Sequence, residues 1–156
     1  MRRNTRLISD ISGLASWNTG NVTRMGGMFY DCFSLTNVDA LASWDTDNVT
    51  DMNFMFFRCK KLTNLNSLAN WNIKNVTDMS GAFYGCSSLT NVDALVSWDT
   101  GSMTNMNHMF NNCRNLTNVD GLALIFSILV DTFLPRISLT MLPRPFPVLC
   151  KLKKLI

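Results

Sequence analysis

Between residues 22 and 32 the apolar positions Val22, Met25, Met28, Phe29 and Cys32 fall at i, i+3, i+6, i+7 and i+10. That spacing predicts one face of a short helix. A few residues later the rhythm changes: in LTNVDAL (35–41), Thr36, Val38 and Ala40 alternate with Asn37 and Asp39, as a half-buried strand would. The joins, SWNTGN and YDCFS, are rich in turn formers. Asn21 or Thr23 is placed to cap the expected helix by accepting a hydrogen bond from a first-turn N–H.

The same pattern returns every 27 residues, as columns of like residues show: Trp17, Trp44, Trp71 and Trp98; Phe29, Phe56, Phe83 and Phe110; Cys32, Cys59, Cys86 and Cys113; Leu35, Leu62, Leu89 and Leu116. A partial unit, ISDISGLASW, precedes the first tryptophan and aligns on LTNVDALASW. One such unit has an apolar face and nothing to bury it against. Stacking a second copy about 4.8 Å away supplies that wall, and about three copies are needed before the array holds. The expected fold is an α/β repeat solenoid over about residues 8–122. Each 27-residue coil would be a short strand plus a short helix, and the strands would form one parallel sheet.

Residues 1–7 form a basic leader with three arginines. Beyond residue 122 the composition changes abruptly: 123–156 has no Asn, Gly or Trp and holds all four prolines. A frameshifted tail is the favoured reading, ahead of a C-terminal cap or a basic membrane-contacting segment built on KLKKLI.

Composition narrows the function classes. The array carries six Lys/Arg against ten Asp, a net −4, although the whole chain is +3. Nucleic-acid binding needs a continuous basic stripe, so no nucleic acid is expected as partner. All eleven acidic residues are Asp, a residue that favours turns and caps. No stretch reaches the roughly 18 apolar residues of a membrane span. The start MRRNTRLISDISG has no apolar core of a signal peptide, which places the chain in the cytoplasm if it is complete.

Catalytic candidates are sparse. His108 is the sole histidine, and Cys113 is its one conceivable nucleophilic partner. That pair lacks the third, orienting group such chemistry uses, so no enzyme and no cofactor are expected. A 27-residue cysteine spacing fits no compact zinc pattern; the thiols read as small core residues. The tryptophan column likewise reads as core. Asp45–Asp51 resembles a calcium loop only faintly, lacking the central Gly and closing Glu. Four N-x-[ST] sequons, at Asn21, Asn48, Asn75 and Asn115, are explained as well by turn and capping chemistry.

Binding is the better prospect, because repeat arrays use their solvent-facing columns as extended recognition surfaces. The first candidate is the strand face, with Asn37, Asn64, Asn91 and Asn118 beside Asp39, Asn66, Asp93 and Asp120. The second is the outer surface where units differ most, with Tyr30, Phe57, Tyr84, Arg58, Lys60 and Lys61. Exposed aromatics beside cations can anchor a protein partner.

Together the motifs W-[DN]-T, N-V-T-x-M, M-F and C-x-x-L-T-N, held in fixed register over about 8–122, resemble the BspA-type leucine-rich repeats of bacterial surface proteins. The resemblance implies a leucine-rich-repeat-like solenoid, displayed or secreted, that recognises proteins or host surfaces. The expected function is thus a non-enzymatic binding or adhesion module. An intracellular protein-interaction scaffold is the alternative.

Overall fold

The computed structural model describes residues 7–117, so Asn118, Asp120 and the expected tail lie outside the described residues. From each cysteine to the next tryptophan the inward side chains follow a period of three. Cys32, Leu35, Val38, Leu41 and Trp44 are all buried, as are their counterparts Cys59 to Trp71 and Cys86 to Trp98 at the same spacing. The backbone keeps the same count: the N–H groups of Leu35, Leu41 and Trp44 donate to the carbonyls of Cys32, Val38 and Leu41 at 3.1, 2.9 and 3.1 Å. Bonds three residues apart close β-turns and 3₁₀ turns rather than α-helices. Short 3₁₀ helices accordingly form at Ser12–Ser16, Asp39–Leu41, Asn66–Leu68 and Asp93–Ser97.

This corrects the expected architecture. Among the described residues there is no strand, and no helix exceeds five residues. The α/β solenoid with one parallel sheet is therefore not formed. A leucine-rich-repeat-like coil needs a strand in every unit, so that description falls with it. Thr36–Ala40 is no strand; it leads into the 3₁₀ turn at Asp39–Leu41. The stretch expected as a helix from Val22 to Cys32 is a run of turns, with Gly27 and Asp31 at positive φ (66° and 60°) in the third positions of two of them. Type II turns require that conformation there. Neither Asn21 nor Thr23 caps a helix, since none begins there.

What the 27-residue spacing does set is the contacts between units, numbered here from their tryptophans (unit 1 from Trp17, unit 2 from Trp44, unit 3 from Trp71, unit 4 from Trp98). Along the turn run, alternate N–H groups leave the unit. Those of Met25, Gly27, Phe29 and Asp31 donate to the carbonyls of Asp51, Asn53, Met55 and Phe57, all at 2.8 Å. The intervening N–H groups stay home, as Met28 to Met25 and Tyr30 to Gly27 show. The same ladder joins unit 2 to unit 3, and unit 3 to unit 4. Isolated parallel bridges, Arg24–Asp51, Asp51–Asp78 and Asp78–Asn105, mark its start. Backbone donors are thus satisfied without a sheet.

Side chains repeat the arrangement. Phe29, Phe56, Phe83 and Phe110 stack with centroids 5.2, 5.5 and 5.4 Å apart and nearly parallel planes. Trp17, Trp44 and Trp71 form a second row at 6.2 and 6.4 Å. The indole N–H groups of Trp44, Trp71 and Trp98 donate to the carbonyls of Leu14, Leu41 and Leu68 in the preceding turn. Asn48 and Asn75 of the sequons donate to the Gly20 and Asp47 carbonyls, and Thr50, Thr77 and Thr104 to the threonine carbonyl one unit back. The N-V-T motif is therefore used for contacts between units.

The cysteine column is buried and free of disulfides. The thiols of Cys59, Cys86 and Cys113 donate to the carbonyls of Phe29, Phe56 and Phe83 at 3.2, 3.2 and 3.0 Å. Burial pushes all three thiols up, Cys113 to about 12. Below about pH 9 both folded and unfolded chains keep these protons, so the thiols do not bias folding. As pH climbs from there towards about 12, the unfolded chain ionises while Cys113 does not, and stability is lost. The loss approaches roughly 1.4 kcal/mol per pH unit for each such thiol. Urea midpoints should hold steady to about pH 9 and then fall, and Cys113→Ala should flatten the fall.

Candidate functional site

Each unit places the same backbone at the outer surface after its stacked phenylalanine, so the residues at that turn decide what the surface offers. In unit 2 they are Phe57, Arg58 and Lys60; in unit 3, Tyr84, Gly85 and Ser87; in unit 4, Asn112 and Arg114. Because unit 3 carries small residues where units 2 and 4 carry long ones, a recess of about 520 Å³ opens, lined by these eight. Gly85 sits at φ +71°, and a Cβ there would lie 3.1 Å from Arg58 Cγ. The glycine thus supplies both the left-handed turn and room for the arginine stem.

The aromatic wall is a third ring column: Tyr30 stacks on Phe57 at 4.6 Å, and Phe57 on Tyr84 at 4.8 Å. These rings are half-buried or exposed, unlike the phenylalanine column behind them. Tyr84 Oη accepts a hydrogen bond from Asn112 Nδ2 at 2.6 Å, which leaves its own hydroxyl proton for a ligand.

Cations ring this wall. Arg58 pairs with Asp31 at 3.3 Å, an ion pair without hydrogen-bond alignment, since that Asp31 oxygen has no hydrogen-bond partner among the described residues. The Arg58 guanidinium also lies 5.3 Å from the Phe33 ring centroid and 6.0 Å from that of Phe57, and Lys60 Nζ lies 4.8 Å from the former. Cation–π contacts of this length steady a cation without neutralising it. Arg114 is exposed and has no ion-pair partner among the described residues.

Of the second candidate surface, the structure brings Phe57, Arg58, Lys60 and Tyr84 into one recess. Tyr30 continues the ring column outside it. Lys61 is exposed and does not line it. Ser87 and Arg114 were missing from the sequence reading; aligning Phe33, Lys60, Ser87 and Arg114 as a column shows the small residue between two cations.

The Asn/Asp columns of the first candidate surface do not form an outward strand face, because no strand exists there. Asn37 Oδ1 accepts from the Asp39 N–H at 3.3 Å and Asn64 Oδ1 from the Asn66 N–H at 3.2 Å. These are Asx turns that start the 3₁₀ helices, a local backbone role. Asp39 also accepts from the Ser67 hydroxyl of the next unit. Asn91 is half-buried and Asp93 exposed. His108 stands at φ +60°, in the column of Gly27, Phe54 and Gly81, and its ring meets Asn111 rather than Cys113, whose thiol is bonded to Phe83 O. Among the described residues no group of three or more His, Cys or Asp side chains could hold a metal ion. None of their helices is long and apolar enough to cross a membrane.

Residues 1–121 match the family model described as "Mycoplasma protein of unknown function, DUF285". No curated protein and no solved structure matches the chain. The family is uncharacterised, so it lends nothing to the leucine-rich-repeat or adhesive description, and the absence of strands removes the structural ground for the former.

Proposed function

The chain belongs to the DUF285 family, and on that premise we propose that it is a non-enzymatic protein-binding module whose contact surface is the recess between units 2 and 4. One observation carries this reading: the outer turns break the repeat where the inner ones keep it. Phe29, Phe56, Phe83 and Phe110 are constant and buried, whereas Asp31, Arg58, Gly85 and Asn112 share one backbone conformation and no side chain. A stack that needed only to fold could repeat its surface too. Half-exposed stacked rings beside a preorganised arginine are the composition of interface hot spots. The motif resemblance to BspA-type surface proteins supports a site of action on a cell surface.

The test is selection without a presumed partner. Random dodecapeptides displayed on phage would be panned on the full chain, and the winners measured against Ser87→Trp, which fills the recess from an outer turn. Peptides that bind the parent and weaken at least about tenfold, or ~1.4 kcal/mol, on a variant with an unchanged melting curve support the reading. Recovery only of peptides indifferent to that change, or of none, overturns it.

A further inference from the structure

Resting on that reading of the recess as a protein-binding site, we infer that its occupant is an acidic stretch of protein whose carboxylates bridge Arg58 and Lys60 on one side and Arg114 on the other. The array as a whole is negative, with six basic residues against ten Asp over 8–122. Three of those six, Arg58, Lys60 and Arg114, line this single recess; no acidic residue lines it, and Asp31, 3.3 Å from Arg58, offsets one of the three and leaves Lys60 and Arg114 as the excess charge. Lys61 is exposed one residue from Lys60. Concentrating cations against an opposing background focuses a local potential that captures and orients an anionic partner.

The geometry favours two anchoring points. Lys60 and Arg114 belong to units 2 and 4, two stacking steps apart, where the phenylalanine rings of successive units lie 5.5 and 5.4 Å apart. Between them Gly85 and Ser87 leave the floor open. Ser87 Oγ is committed as donor to the Lys60 carbonyl at 3.3 Å, and the Tyr84 hydroxyl, already accepting from Asn112, is left to donate. Carboxylates entering on either side of Tyr84 meet between them its hydroxyl proton, the Lys60 ammonium and the Arg58 and Arg114 guanidinium groups, donors suited to charge-assisted bonds. The flanking rings of Phe57 and Tyr84 offer apolar contact to the segment between the carboxylates. A nucleic-acid backbone would need cations along a stripe; here they are gathered in one recess and the surrounding array repels phosphate.

The panning experiment separates this inference from the function it rests on. Among recess-dependent peptides, Asp and Glu should be enriched, and fluorescence anisotropy should show binding that weakens at least about tenfold between 50 and 500 mM salt, as screening removes the charge term. Replacing the acidic positions of the best peptide by Asn and Gln should have a comparable effect. The Lys60→Glu/Arg114→Glu variant should reverse the preference and select basic peptides, while Lys74→Ala, an exposed lysine outside the recess, should bind as the parent does. Recess-dependent peptides that are neutral or basic, or binding indifferent to salt, overturn the acidic partner and leave the module intact. A single-stranded oligonucleotide that outcompetes the acidic peptide at the recess also overturns it.

Discussion

Phe83→Ala is expected to remove about 3–5 kcal/mol of unfolding free energy and to dissolve the array as a unit. Phe83 is 1% exposed, and its ring lies between Phe56 and Phe110 at 5.5 and 5.4 Å with planes within 6° of parallel. Truncation opens a void that the neighbours cannot fill, because both are locked in the same column and held by the backbone ladder. The Phe83 N–H donates to Met109 O at 3.0 Å, and its carbonyl receives the Cys113 thiol. In a linear stack, stability is the sum of unit terms and nearest-neighbour terms. A central ring therefore enters two interfaces at once. Urea unfolding followed by tryptophan fluorescence reads this directly, since Trp44, Trp71 and Trp98 are all buried. A midpoint unchanged from the parent would show that the column does not hold the units together.

The columns themselves were legible in the sequence, because a stack of units places like residues on like. Their conformation was not. Strand and helix are told apart by periods of 2 and 3.6, and the inward residues here repeat at 3, from Cys32 through Leu35, Val38 and Leu41 to Trp44. A period of three lies between the templates, so one half of each unit imitated a strand and the other a helix. The period lapses after Trp44, where Thr46, Val49, Met52, Met55 and Phe56 are the buried positions, so the 27-residue repeat and not the period of three keeps the units in register. Glycine at 27, 81 and 85 with Asp31 and Asn112 was the available signal for left-handed turns; Phe54, Arg58 and His108 in the same columns masked it. The second binding surface was legible as a place of variation. Its recess depends on which unit has small residues, and that emerges only by reading down the columns.

The left-handed columns lead to the second large effect. Gly81→Ala is expected to destabilise the array by about 2–4 kcal/mol, against about 1 kcal/mol for Gly27→Ala, although both glycines occupy the same turn position at φ +61° and +66°. The backbone penalty is common to both. The difference is the neighbour: a Cβ at Gly27 would meet nothing within 4 Å, whereas one at Gly81 would stand 2.6 Å from two carbons of the Phe54 ring. That ring belongs to the corresponding position of the preceding unit and is set edge-on to Phe57 at 5.6 Å, so moving it disturbs the wall of the recess. Phe54→Gly should therefore rescue Gly81→Ala, removing both the clash and the cost of a bulky residue at φ +52°. A double-mutant cycle in urea gives the coupling directly. Equal losses for the two alanine variants, or no rescue, would show that the phenylalanine at position 54 yields freely and that the glycine at position 81 answers to its backbone alone.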